Sequence, residues 1–216
     1  MKKFAVILAG NGVYDGAEIH EATLTMLAIS RQGAEYQCFA PNINQYHVIN
    51  HLNGEEMDET RNVLVESARI ARGNIKDLKD FDGNNFDALI FPGGFGVAKN
   101  LSTVAFEGAN ATVNLEVEYA IKQMYELKKP IGALCISPTI IAKVLGKVNV
   151  TIGQDKETAE VIESFGATHV ETDHGDVILD EEKLVFTTPC YMLNATITDI
   201  DDGATNVVYA MLEMME

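Results

Sequence analysis

The sequence predicts a doubly wound α/β protein, with a mostly parallel sheet sandwiched by helices. Three observations support this fold class. Short apolar segments alternate with amphipathic helical ones, glycine-rich turns directly follow several apolar segments, and strand, helix and strand succeed one another as in right-handed crossovers. The 216 residues, 47% of them hydrophobic, contain no repeat and no linker, so one domain over residues 1–216 is expected.

The first strand–helix–strand unit lies at the start of the chain. Residues 4–9 predict a core strand, and a glycine-rich turn from Gly10 to Gly16 follows it. Apolar residues at helical spacing predict a helix over residues 17–32, which Gly33 ends. An alternating segment then predicts a second strand over residues 35–40.

Residues 47–72 form an insertion relative to a minimal doubly wound plan. We expect its first part to be irregular or strand-like, and residues 58–73 to form a helix that stops at Gly73. Charged side chains at this spacing usually make a solvated face. The alternative is that Arg61 or Asn62 turns towards the functional site.

The rest of the chain continues the alternation and ends in a hairpin and a helix. The predicted strands are residues 87–91, 131–134 and 148–152, the predicted helices are residues 115–127, 156–165 and 203–214, and the predicted hairpin is residues 177–187.

Cys135 lies between the buried strand 131–134 and a helix whose first turn contains Pro138. A thiol there leaves the carboxyl edge of the sheet at the positive end of a helix dipole. That position is expected to lower the thiol pKa and favour the reactive thiolate. The layout resembles a nucleophile elbow. The alternative is an inert, buried cysteine.

Two further segments are expected at the same edge of the sheet. The turn from Pro92 to Gly96 follows a strand, and its backbone N–H groups could stabilise an oxyanion; otherwise it is a plain tight turn. Glu21 begins the first helix, where a carboxyl group could hydrogen-bond the cysteine. Position alone favours a surface carboxylate, and Glu18 and His20 are alternatives.

The composition argues against several classes of binding partner and favours one type of cellular compartment. A net charge of −16 argues against nucleic acid and anionic membrane surfaces, and no apolar stretch is long enough to span a bilayer. Cys38, Cys135 and Cys190 form neither a disulfide framework nor a zinc motif, which favours a reducing compartment, expected to be the cytoplasm. The apolar run after Lys2 and Lys3 fits a core strand better than a signal peptide.

Several motifs resemble a known family over nearly the whole chain. In order they are Val13-Tyr14-Asp15-Gly16, Glu18-Ile19-His20-Glu21, Val48-Ile49-Asn50-His51-Leu52, Glu59-Thr60-Arg61-Asn62-Val63-Leu64, Pro92-Gly93-Gly94-Phe95-Gly96, Ala98-Lys99-Asn100-Leu101, Cys135-Ile136-Ser137-Pro138, Thr187-Thr188-Pro189 and Tyr191-Met192. The chain is similar to the ThiJ/PfpI superfamily, which is related to class I glutamine amidotransferase domains. Within it, the chain most resembles the ElbB family (sigma cross-reacting protein 27A, or isoprenoid biosynthesis protein with amidotransferase-like domain).

The resemblance implies a flavodoxin-like fold with Cys135 as the nucleophile and Glu21 as the carboxyl that contacts it. The backbone N–H groups of Gly94 and Ile136 would form the oxyanion site, and Gly93, Asn11, Arg61, Asn62, His174 and Cys190 are candidate neighbours. It implies a glyoxalase of the lyase class that needs neither glutathione, cofactor nor metal. Cys135 would add to glyoxal or methylglyoxal, and Glu21 would move a proton. A homodimer is a further implication.

The departures from the family pattern exclude some chemistry. Ile136 replaces the histidine of protease-like relatives, and the loop 187–191 lacks the histidine of glutaminases. A third histidine of the superfamily is absent near Gly153 and Gln154, which leaves His174 as a candidate partner. Cys190 could be a resolving thiol or a bystander.

Two other functions stay open at this stage. Cys135 could be a redox or stress sensor, oxidised to a sulfinic acid held by Glu21. The chain could also be a non-catalytic amidotransferase-like scaffold linked to isoprenoid metabolism. A zinc site formed by His20, Glu21 and Cys135 is disfavoured, because adjacent helical residues point about 100° apart.

Overall fold

The structure, a computed structural model, describes residues 1–215. Its nine strands are, in chain order, β1 (Lys3–Ile7), β2 (Glu35–Ala40), β3 (Ile75–Asp77), β4 (Ala88–Phe91), β5 (Ile131–Leu134), β6 (Asn149–Val150), β7 (Thr168–His169), β8 (Ile178–Asp180) and β9 (Val185–Thr188). Seven of them form one sheet in the order β3-β2-β1-β4-β5-β9-β8, and β6 pairs with β7. All pairs are parallel except β8 with β9, so the predicted α/β fold is confirmed.

Helices cover both faces of this sheet. They are α1 (Ile19–Arg31), α2 (Val63–Ile70), α3 (Phe95–Lys99), α4 (Val104–Glu107), α5 (Leu115–Glu126), α6 (Pro138–Leu145), α7 (Lys156–Ser164) and α8 (Ile197–Glu213). Alternate residues of β1 enter two different cores: Phe4 and Val6 lie with residues of α1 and α8, and Ala5 and Ile7 lie with residues of α5 and α6. Burial on both sides explains the uninterrupted apolar runs in the sequence.

Strand order reverses between β1 and β4, which are neighbours in the sheet. The turns that follow these strands therefore meet at the carboxyl edge, where open α/β sheets bind ligands. Backbone hydrogen bonds join the two turns directly: Glu18 N–H donates to the Gly93 carbonyl and Phe95 N–H donates to the Val13 carbonyl.

Two helices begin at residues other than those that hydrophobic periodicity predicted, because capping side chains fix where each helix starts. The helix predicted from residue 58 begins at Val63, because the Asn62 side chain accepts from the Val65 N–H. The last helix begins at Ile197 rather than at residue 203, because Thr196 and Asp199 form a capping box.

The predicted strand over 148–152 is also displaced. Only Asn149–Val150 is a strand, and it pairs with β7 outside the main sheet. The Thr151 N–H donates to the Thr187 side chain instead of extending a ladder. The predicted hairpin is confirmed as β8 and β9, whereas β3 was not predicted.

The insertion folds over the turn that follows β1. Asp15, which is buried, accepts a hydrogen bond of 2.7 Å from the Ile49 N–H. The Asn100 amide group donates to the Ala9 and Asp15 carbonyls, and its oxygen accepts from the Tyr46 N–H. Among the described residues, no helix is both long and apolar enough to cross a bilayer.

Candidate active site

Cys135 occupies a sharp turn between β5 and α6. Its φ of 59° lies in the left-handed region, which is uncommon for a residue with a side chain and often marks functional sites. Its N–H donates to the Thr188 carbonyl over 3.0 Å. The buried Ser137 hydroxyl donates to the Pro92 carbonyl over 2.8 Å, which ties this elbow to the turn after β4. The thiol is therefore held in a fixed position at the edge of the sheet.

Gly93 and Gly94 bring backbone N–H groups up to the thiol. A Cβ at Gly93 would lie 2.4 Å from the Cys135 Cβ and 2.6 Å from Glu21 Oε2. Gly94 has a φ of 99°, and a Cβ there would lie 2.4 Å from the Gly16 carbonyl oxygen. Side chains are excluded at both positions. The N–H groups of Gly94 and Ile136 hydrogen-bond the Cys135 sulfur, which is where the resemblance placed an oxyanion site.

Glu21 lies directly beside the thiol and is completely buried. Its Oε2 accepts from the Gly93 N–H over 2.8 Å, and its Oε1 accepts from the Tyr191 N–H over 3.2 Å. The carboxyl group also hydrogen-bonds the Cys135 thiol. Glu18 caps α1 by accepting from the Glu21 N–H, which fixes the start of the helix. The alternative of a surface carboxylate at Glu21 does not hold.

Burial controls the protonation of this pair. Desolvation, followed by the negative charge of Glu18, raises the pKa of Glu21 to about 8, against three hydrogen bonds that lower it. Desolvation, followed by the charge of Glu21, raises the pKa of the Cys135 thiol, and the Gly94 and Ile136 N–H groups oppose this. The expectation of a lowered thiol pKa was wrong, because burial outweighs the helix terminus. At neutral pH the pair rests as a thiol beside a carboxylic acid.

A cavity of about 330 Å³ opens onto the Cys135 thiol. Its lining residues are Val13, Gly94, Phe95, Cys135, Ile136, Asp155, Thr158, Tyr191 and Met192. Most of these are apolar or small, and Asp155 is the one charged side chain among them. Its carboxylate accepts from the Thr158 N–H at the start of α7. The cavity can therefore hold a small, largely apolar molecule against the sulfur.

The other candidate neighbours have contacts of their own. Arg61 pairs with Glu59 at 2.8 Å, and Asn62 caps α2. His174 lies in an exposed turn near Asp199. The structure therefore places these three away from the cavity lining.

Asn11 lies outside the cavity lining, and Cys190 lies within range of the charges of Glu21 and Cys135. Asn11 sits in the turn after β1, where its N–H packs against Gly16. Cys190 is a buried, free thiol with a φ of 44°, and a Cβ at Gly203 would lie 3.3 Å from its sulfur. Cys190 therefore packs against α8 and forms no disulfide with Cys135.

Two functional contacts were missed by the sequence reasoning. The Tyr191 N–H donates to Glu21, and the Tyr191 hydroxyl hydrogen-bonds His20 Nδ1 at 2.8 Å. Two signals were available in the sequence: the position of Tyr191 just after a strand of the sheet, and the Tyr191-Met192 motif. Met192 of the same motif also lines the cavity, and Asp155 and Thr158 reach it from a segment that carried no motif.

Comparisons with known proteins agree with this architecture. No family model matches the chain. The human glutamine amidotransferase-like class 1 domain-containing protein 3, mitochondrial, is 46% identical over 222 residues, covering 98% of this chain and 83% of the relative. The mitochondrial ES1 protein of Danio rerio is 35% identical over 232 residues, covering 97% and 85%.

Solved structures extend the comparison to the fold. An isoprenoid biosynthesis protein with amidotransferase-like domain from Ehrlichia chaffeensis has a TM-score of 0.94 and 39% identity, with full coverage of both chains. Glyoxalase III from Candida albicans has a TM-score of 0.63 and 16% identity, covering 98% of this chain and 96% of that one, and shows the fold alone.

One expectation is corrected by these relatives. The cysteine content suggested the cytoplasm, whereas the human, rat and zebrafish relatives are mitochondrial proteins, so the cytoplasmic expectation was wrong. The resemblance to ThiJ/PfpI and ElbB proteins is confirmed. The chain belongs to the glutamine amidotransferase-like class 1 (ES1) family, with the ThiJ/PfpI-type α/β fold.

Proposed function

We propose that the protein is a glutathione-independent, glyoxalase-like enzyme that converts a small 2-oxoaldehyde, such as methylglyoxal, into a hydroxy acid. One observation carries the proposal. The Cys135 thiol lines the cavity, and the buried Glu21 carboxyl, whose pKa is about 8, hydrogen-bonds its sulfur. A group with a pKa near neutrality can both release and accept protons at working pH.

The first step is the addition of the thiol to the aldehyde. The Cys135 sulfur forms a bond to the aldehyde carbon, and the C=O electron pair moves to oxygen. The Gly94 and Ile136 N–H groups are placed to stabilise charge on that oxygen. The ionised form of Glu21, which a pKa of about 8 makes accessible near neutral pH, takes the thiol proton and passes it to that oxygen. The product is a hemithioacetal, and Glu21 is unchanged.

The second stage transfers hydrogen between the two carbons. Ionised Glu21 removes the proton on the sulfur-bearing carbon, and the C–H electron pair forms a C=C bond. The ketone oxygen takes a proton from a neighbouring donor, which gives an enediol. Glu21 then returns a proton to the neighbouring carbon, the hydroxyl on the sulfur-bearing carbon gives its proton back to that donor, and a thioester of the hydroxy acid results. Water hydrolyses the thioester, which releases lactate from methylglyoxal and regenerates the thiol. No electrons are gained or lost overall.

The cavity favours a neutral substrate. Its volume of about 330 Å³ suits a small molecule, and no cationic side chain belongs to its lining. Asp155 at the wall and Glu18 near Glu21 disfavour substrates with a carboxylate or a phosphate. We therefore expect methylglyoxal to react faster than a charged 2-oxoaldehyde of similar size.

The two other functions receive less support from these contacts. Peroxide sensing requires a resting thiolate, and burial raises the pKa of Cys135. Glutaminase chemistry of the Cys–His kind needs a histidine at the thiol, and among the described residues no histidine lines the cavity. A scaffold role requires none of the contacts between Glu21 and the thiol.

The test is lactate formation from methylglyoxal without glutathione. The wild type should form lactate, and Cys135→Ala should form none, because the covalent intermediate is lost. Glu21→Gln should form the hemithioacetal, seen as an added mass on the protein, more slowly than the wild type, because the thiol proton must then leave through water, and it should not complete the hydrogen transfer. Cys38→Ala is the matched control, because Cys38 is a second buried thiol that lies on β2.

Three outcomes decide the matter. The proposal is supported if the wild type and Cys38→Ala form lactate while Cys135→Ala and Glu21→Gln do not. If Cys135→Ala formed as much lactate as the wild type, the Cys135 thiol would have no part in the reaction. No lactate from a wild type whose Cys135 is intact by mass spectrometry would reject glyoxalase chemistry.

A further inference from the structure

Tyr191 and His20 form a hydrogen-bonded pair beside the reacting groups. The Tyr191 hydroxyl lies 2.8 Å from His20 Nδ1, and the two rings lie 5.9 Å apart. Tyr191 lines the cavity that holds Cys135. Its backbone N–H donates to Glu21, which follows His20 in α1. One tyrosine therefore connects the substrate cavity, the carboxyl and an exposed imidazole.

The proposed reaction moves protons on oxygen as well as on carbon. Glu21 is occupied on both oxygens by the Gly93 and Tyr191 N–H groups, and it also contacts the thiol. It is completely buried, so it has no direct contact with water. A separate group is needed to supply a proton to the ketone oxygen when the enediol forms.

We propose that Tyr191 is a second catalytic acid–base group, which serves the substrate oxygens, and that His20 positions its hydroxyl and links it to solvent. This inference rests on the proposed function.

The proton balance is complete. When Glu21 removes the proton from the sulfur-bearing carbon, the ketone electron pair moves to the ketone oxygen, and that oxygen takes the proton of the Tyr191 hydroxyl. The His20 imidazole stabilises the phenolate by hydrogen bonding. When Glu21 reprotonates the neighbouring carbon, the hydroxyl on the sulfur-bearing carbon becomes the thioester carbonyl, and its proton returns to Tyr191.

The surroundings keep Tyr191 protonated at rest. Burial, followed by the charges of Glu18, Glu21, Cys190 and Asp199, raises the pKa of its hydroxyl. The resting tyrosine is therefore a donor. His20 is exposed, so a proton held on the pair can exchange with water.

The test compares three variants in the lactate assay. Tyr191→Phe keeps the backbone donor to Glu21 and removes only the hydroxyl. It should lower kcat about 100-fold, the lower end of the usual range for a general acid–base group, with KM almost unchanged. The hemithioacetal mass should still appear, which shows that folding and binding are intact.

His20→Ala should lower kcat by a smaller factor, and added imidazole should restore part of it, because the site of His20 is open to solvent. Imidazole should not help Tyr191→Phe. Tyr14→Phe is the matched control: Tyr14 also contacts a histidine, His51, through its backbone N–H and its ring, and those contacts do not use the hydroxyl. It should react at the wild-type rate.

A failure of the role proposed for Tyr191, of the role proposed for His20 and of the proposed function would each give a different result. Lactate from the wild type and an equal kcat from Tyr191→Phe would overturn the role of Tyr191 while glyoxalase chemistry stands. A loss in His20→Ala that imidazole leaves unchanged would reduce His20 to a packing residue. No lactate from the wild type would overturn the proposed function and this inference together.

Discussion

The buried carboxyl of Glu21 makes folding stability depend on pH. Its native pKa of about 8 lies above the ordinary value of 4.5, so the native state binds this proton more tightly than the unfolded chain. Stability is therefore full below pH 4.5 and falls as pH rises towards 8. Because each pKa unit is worth about 1.36 kcal/mol, the contribution lost between pH 5 and pH 8 is about 3.5 kcal/mol.

Glu21→Gln isolates this contribution from all other titrating groups. The amide can accept only one of the N–H bonds from Gly93 and Tyr191, which adds a cost that does not change with pH. The difference in unfolding free energy between variant and wild type should move by about 3.5 kcal/mol in favour of the variant between pH 5 and pH 8. Glu21→Leu loses both hydrogen bonds, so its pH-independent destabilisation differs from that of Glu21→Gln. Its unfolding free energy relative to the wild type should nevertheless change with pH by the same amount.

Urea unfolding followed by circular dichroism, at intervals of pH from 5 to 8, measures the three curves. A difference between Glu21→Gln and the wild type that stays constant over this range would refute the reasoning. It would mean that Glu21 is ionised in the native protein, and the acid–base role proposed for it would lose its basis.

Two further predictions follow from the same contacts. Gly93→Ala places a Cβ 2.4 Å from the Cys135 Cβ, so it should lower the free energy of unfolding by about 1–3 kcal/mol in urea titration; unchanged stability would show that the turn can shift. Burial raises the pKa of the Cys135 and Cys190 thiols, and it raises the pKa of the Cys38 thiol to about 12. Because iodoacetamide reacts with the thiolate, it should label the native protein slowly at pH 7 and faster as the pH rises. Rapid single labelling of Cys135 at pH 6, seen by mass spectrometry, would contradict the raised pKa.

The sequence predicted the parts of the fold that depend on local pattern. Apolar runs located β1, β4 and β5, and the elbow at Cys135 follows from a strand that meets a helix beginning at Pro138. Strand β3 is a three-residue edge strand, too short for periodicity to reveal. Val148, Val150 and Ile152 are apolar because they are buried, and burial alone does not tell which sheet they join.

The candidate site was predictable only in part, because its properties depend on distant segments. Cys135 and Glu21 could be named from their positions at the ends of elements. The raised pKa of Cys135 could not, because a helix terminus is visible in a sequence and the degree of desolvation is not. The bond between His20 and Tyr191 joins residues 171 positions apart, which no local pattern reports.

The reacting pair is held mainly by main-chain groups. The N–H groups of Gly93 and Tyr191 bind Glu21, and those of Gly94 and Ile136 bind the Cys135 sulfur. A main-chain donor persists when the side chain of its residue changes. The walls of the cavity, including the side chain of Ile136, are thus free to vary over evolution without disturbing the thiol and the carboxyl. Relatives built on such a scaffold can change the shape and polarity of the cavity while keeping the same thiol and carboxyl.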